Sequence, residues 1–187
     1  MSSRIRTPLA VTAALAAALL AGPASAGAAS ATVTGSVTGS ALSVATTATP
    51  SFSANLDSGD QTPTYTVPLT STDTRGTGAG WNETITSTQF TTGGGTPQTL
   101  ATNASSLTGA TSACVSGTCT NPTNAVTYPV AVPAAATPPT AVKFFNAAAN
   151  TGMGKFTTTP TVGVFVPQSS FAGSYTSTLT ISIVSGP

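Results

Sequence analysis

Apolar and hydroxyl-bearing residues alternate along much of the chain. In Tyr175-Thr-Ser-Thr-Leu179-Thr-Ile181-Ser-Ile183, one face carries Tyr175, Leu179, Ile181 and Ile183, and the other carries Thr and Ser. A repeat of two residues is that of a β-strand with one buried face. Residues 156–166 repeat it, with Phe156, Val162, Val164 and Val166 on one side. Residues 32–34, 51–56, 61–72 and 81–90 predict further strands. Pro63 and Pro68 make the third of these an edge strand or an interrupted one, because proline cannot donate to a ladder. No window beyond residue 30 has a helical repeat with caps, and Ala147-Ala148-Ala149 supports one helical turn at most. Residues 93–140, rich in Gly, Pro, Ser, Thr and Asn, read as a loop-rich excursion with short strands. The pattern predicts an all-β fold, an antiparallel β-sandwich formed as a single domain over residues 27–187.

The first 26 residues follow another logic. Arg4 and Arg6 precede an apolar run from Pro8 to Leu20, and Ala24-Ser25-Ala26 has the small-residue form of a cleavage site. That order predicts a secretory signal peptide, and the run is shorter than the roughly 20 residues a membrane span needs. A second such site is Ala29-Ser30-Ala31. The mature chain is expected to be secreted, with no membrane anchor.

Composition narrows the chemistry. Of 187 residues, 5% are charged and 40% hydrophobic, and there is no His; about a quarter of an ordinary domain is charged. Five basic residues leave no footprint for nucleic acid. Absent imidazole excludes a histidine triad or histidine metal site. High apolar content with almost no charge is the reverse of the disordered signature. After residue 26 the chain keeps Arg75, Lys143 and Lys155 against Asp57, Asp60, Asp73 and Glu83, a net charge of −1 from three positive and four negative groups. No side chain has an ordinary pKa between pH 5 and 8, so little pH dependence is expected there.

Two cysteines in an exported chain predict one disulfide, Cys114 to Cys119. A two-residue turn at Ser116-Gly117 would set them opposite each other in a hairpin, with Cα atoms about 4.5 Å apart. Asp73 and Glu83 flank Trp81, but they read as a turn residue and an exposed strand residue rather than as a glycosidase pair. Asp57 and Asp60 fit a β-turn better than a calcium loop. Gly76-Thr-Gly78-Ala-Gly80 precedes no helix and is no phosphate loop. No catalytic residue, metal or cofactor is implied. Trp81, the only Trp, has two readings: a sugar-stacking platform, or a core indole bonded to a backbone carbonyl. The core reading is the stronger.

The segments Asp73-Thr-Arg-Gly-Thr-Gly-Ala-Gly-Trp81-Asn82, Ala141-Val-Lys143, Asn150-Thr-Gly-Met-Gly154 and Tyr175-Thr-Ser-Thr-Leu179-Thr-Ile181-Ser-Ile183-Val-Ser-Gly-Pro187 together resemble a WxL domain. That family comprises β-rich modules of bacterial surface proteins that attach non-covalently to peptidoglycan. The first Trp-x-Leu signature departs at Asn82-Glu83 after Trp81. Ile181 and Ile183 hold the Trp and Leu positions of the second. The resemblance implies a non-enzymatic envelope protein that binds peptidoglycan or another wall polymer, with other surface proteins as further partners. Trp81, Tyr175, Leu179, Ile181 and Ile183 are its candidate wall-binding or core residues. A structural subunit of a matrix or surface layer, self-associating through its β-strands, is the alternative.

Overall fold

The structure is a computed structural model in which residues 30–187 are described, so the leader segment 1–26 and its cleavage site after Ala26 lie outside the described residues. By its contacts the chain divides into Met1–Ser36 and Val37–Pro187. Residues 30–36 of the first unit carry no strand, so the one expected at 32–34 does not form. Gly35 directly follows that run, and a glycine weakens a strand.

Val37–Pro187 is built from ten strands: β1 (Leu42–Ala45), β2 (Thr64–Thr66), β3 (Leu69–Asp73), β4 (Trp81–Thr88), β5 (Ser105–Cys114), β6 (Val130–Ala131), β7 (Ala134–Ala135), β8 (Val142–Ala147), β9 (Gly154–Val164) and β10 (Leu179–Ser185). One sheet has the order β1-β3-β9-β5-β6, with β2 also on β9. In the other, β4 lies between β10 on one side and β8 with the short parallel β7 on the other. The inner faces meet in one core that includes Leu69, Leu107, Val162 and Val164 from the first sheet and Trp81, Ile85 and Phe144 from the second.

The expected strand at 61–72 is interrupted at Pro68. Its halves, β2 and β3, share one edge of β9, because β5 occupies the other edge along nearly its full length. The break answers a proline in β9 itself. Pro160 has no N–H, yet its carbonyl accepts from Val67 N at 3.1 Å. Within a strand residue the carbonyl and the N–H point to the same side, so the missing donor faces the gap between β2 and β3. On its other edge β9 faces a bulge in β5 between Leu107 and Gly109.

Several elements differ from the sequence reading. Residues 51–56 are not a strand. The chain runs irregularly to a single 3-10 turn, Leu56–Ser58, where the Asn55 side chain accepts from Asp57 N and pulls the backbone out of extension. The ladder of the last strand begins at Leu179, not Tyr175; residues 175–178 are instead tied to Thr88 and Thr91. The segment 93–140 holds β5, a ten-residue strand inside the first sheet. Cys114 and Cys119 are bonded to each other, but no 115–118 hairpin pair forms and the Cα atoms stand 6.0 Å apart. Val115 N bonds instead to Lys155 O of β9, and Thr120 pairs with Met153.

The disulfide therefore ties the end of β5 to the strand of chain that returns along β9, closing a small loop outside the core. Replacing both cysteines by Ser should leave the fold intact and lower stability by about 2 kcal/mol, the loop-entropy value for so short a link. Urea unfolding followed by Trp81 fluorescence measures it.

Candidate functional site

Two of the family-like segments, 73–82 and 150–154, meet the last residues of a third, 185–187, at one end of the sandwich. Trp81 opens β4 and is 1% exposed. Its indole N–H donates to Gly152 O at 2.8 Å, and its ring lies 5.9 Å from that of Phe145. Glycines make room for it. A Cβ at Gly152 would stand 2.4 Å from Ala147 Cβ and 2.6 Å from the indole nitrogen, and Gly152 has φ +70. Only glycine fits there. Asn150, with φ 63, donates its N–H to Gly78 O at 2.8 Å and docks the 150–154 turn on the glycine-rich segment.

Arg75 closes the same end. Its guanidinium makes a two-pronged bond to Asp73, 2.9 Å on each oxygen, and also donates to Gly80 O at 2.8 Å and to Ser185 Oγ. The Asp73 carboxyl is 3% exposed, and the hydrogen bond from Arg75 holds it below the usual carboxylate range. At the C-terminal side Gly186 N donates to Gly80 O at 3.1 Å, and Asn82 Nδ2 donates to Gly186 O at 2.9 Å. Asn82, one of the departures from the signature, thus has a structural task.

Glu83 is not the exposed strand residue that its charge suggests. It is fully buried between the sheets. Ser71 Oγ donates to its Oε1, Ser71 also bonds Thr158 at 3.2 Å, and Oε2 has no partner. Burial pushes this carboxyl up from 4.5 to about 7, against the lowering effect of Ser71. A titrating group therefore does exist in the pH 5–8 window, contrary to the reading from side-chain type alone. With Asp73 taken by Arg75 and Glu83 sealed in, neither carboxylate beside Trp81 is open to a substrate.

The candidate binding face lies at the other end of β4. The register sets Ser185 opposite Trp81 and Leu179 opposite Ser87, so residues 170–179 stand far along the strand from the indole. There the segment 46–56 and the segment 170–178 form the walls of a groove of about 1050 Å³. Its lining includes Tyr65, Leu69, Phe90, Leu100, Leu179 and Ile181. Phe52 stacks on Tyr65 at 6.2 Å and meets Phe90 edge-on at 5.4 Å. No lining residue is charged, and Ser and Thr hydroxyls are spread over both walls. Burial pushes the Tyr65 hydroxyl up to about 12, so it stays neutral at physiological pH.

The structure divides the five residues singled out from sequence. Tyr175, Leu179 and Ile181 line the groove. Ile183 packs against the core beyond it, and Trp81 belongs to the closed end. Phe52, Phe90 and Phe171 were not found by sequence reasoning. All three sit outside the observed strands, Phe52 and Phe90 in stretches whose sequence predicts strands. Among the described residues no group of His, Cys, Asp and Glu could hold a metal, and no helix is long and apolar enough to cross a membrane.

An all-β sandwich with an uncharged aromatic groove has the build of a binding module. A family model described as "WxL domain surface cell wall-binding" matches residues 22–187. The chain belongs to the WxL family. Comparison with curated proteins and with solved structures finds no match.

Two measurements test this division. Trp81→Ala should lose about 3–5 kcal/mol of stability by thermal or urea unfolding, the cost of emptying a core Trp site. For Glu83, both folded and unfolded states are protonated below 4.5, and both are ionised above about 7. The folded state holds its proton longer, so the Glu83 contribution to stability is greatest below 4.5 and declines as pH rises through the window. The decline should be about 3 kcal/mol, and Glu83→Gln should abolish it.

Proposed function

We propose that this chain is exported after removal of residues 1–26 and binds peptidoglycan non-covalently, without enzymatic activity. The observation that carries the reading is the groove. Its volume of about 1050 Å³, its aromatic residues and its lack of charged lining suit a polymer held by contact and hydrogen bonds. The state of Asp73 and Glu83 supports a binding role over a hydrolytic one.

Mature protein mixed with washed peptidoglycan and centrifuged should enter the pellet, and should stay in the supernatant without it. Pelleting in the absence of wall would favour the self-associating subunit instead. Retention should be nearly insensitive to salt, since exposed charges contribute little and are screened.

A further inference from the structure

We propose that the groove takes an uncharged glycan strand, with Phe171 as the platform on which a sugar ring stacks. This rests on the wall-binding reading above and adds the ligand's chemistry and a residue that contacts it.

Phe171 is 65% exposed although it is one of the largest apolar side chains present, and it lies on the lip of the groove. Its segment is pinned on both sides. Ser170 N bonds Pro167 O at 3.0 Å, and the Tyr175 hydroxyl donates to Phe171 O at 2.9 Å. Thr176 then exchanges two backbone bonds with Thr91, at 2.9 and 3.0 Å. A ring held out in water by a fixed backbone loses little freedom when a ligand covers it, and that preorganisation favours binding. It is not among the apolar residues packed in or against the core.

The lining selects the ligand class. An anionic polymer would require cations, and no Lys or Arg lines the groove. A lipid chain would leave the wall hydroxyls of Thr49, Ser53 and Ser174 without hydrogen-bond partners, which is costly. A pyranose ring presents C–H faces to an aromatic and hydroxyls around its rim, so it satisfies both kinds of surface. At about 1050 Å³ the groove lies at the upper end of the range of about 300–1,000 Å³ for small-ligand pockets, room for more than one linked ring.

The test uses sacculi stripped of protein and anionic polymer, with the soluble N-acetylglucosamine tetramer as competitor. The wild-type chain should bind the stripped sacculi, equally at low salt and at about 0.5 M NaCl, and the tetramer should displace it. Phe171→Ala should bind about tenfold more weakly, a loss of one ring contact, with unchanged melting temperature. Phe171→Tyr should restore binding. Three results would overturn the inference while leaving wall binding in place: unaltered affinity of Phe171→Ala, retention only on walls that keep their anionic polymer, or displacement by free stem peptides and not by the tetramer. No retention on any wall preparation would overturn the wall-binding reading as well.

Discussion

Enclosure of one indole is the constraint on which the rest of this sandwich depends. Trp81 lies at the start of the central strand of the smaller sheet, and segments far apart in sequence close over it. Gly152 accepts its N–H, Ala147 and Phe145 pack beside it, and the 78–80 glycines bring the preceding turn within reach of Asn150. A buried Trp withdraws about 150–250 Å² from water, worth roughly 4–6 kcal/mol by area. That is a large share of the stability of any single domain. The Arg75 guanidinium adds direction rather than bulk, since it reaches Asp73, Gly80 and Ser185 at once and so fixes where the last strand ends.

The second constraint is polar. Ser71 and Thr158 belong to one sheet and Glu83 to the other, and their contact puts a hydroxyl-carboxyl cluster inside an otherwise apolar interface. An ionised carboxylate there would have an unpartnered oxygen in a medium of low polarity, which is why the proton is held. The inward position of Glu83 was legible. In Trp81-Asn82-Glu83-Thr84-Ile85, the repeat of two places Glu83 on the face of Trp81 and Ile85. Residue charge argued for the outside, and the pleat decided otherwise.

Legibility varied with how much the apolar pattern had to say. Strands β4 and β9 bury alternate residues and β10 half-buries its apolar ones, and their sequences announce it. Strand β5, Ser-Ser-Leu-Thr-Gly-Ala-Thr-Ser-Ala-Cys, has Leu107 as its only large apolar residue. It is placed by hydrogen bonds to β9 along most of its length, a partner that local sequence does not reveal. The cysteine pair was readable from export and count, whereas its geometry was not, because Val115 bonds across to β9 instead of folding back on Thr118. The groove was only partly visible. Tyr175, Leu179 and Ile181 stood out through alternation, but Phe52, Phe90 and Phe171 meet them only in three dimensions.

The two ends of β4 divide the labour of the molecule, and this gives the signature departures a physical meaning. Trp81, Asn82 and Glu83 turn their side chains to partners within the protein, so a change there acts on folding. The side chain of Asn82 is spent on Gly186 O, and the carboxyl of Glu83 on Ser71, while Ile183 fills a place against the core. At the far end, Ile181 and Leu179 turn an incompletely covered apolar face toward the groove. Strand β10 is an edge strand of its sheet, and it faces β1, an edge strand of the other. A change at the closed end therefore acts on the fold, whereas a change at Tyr175, Leu179 or Ile181 also alters the lining of the groove.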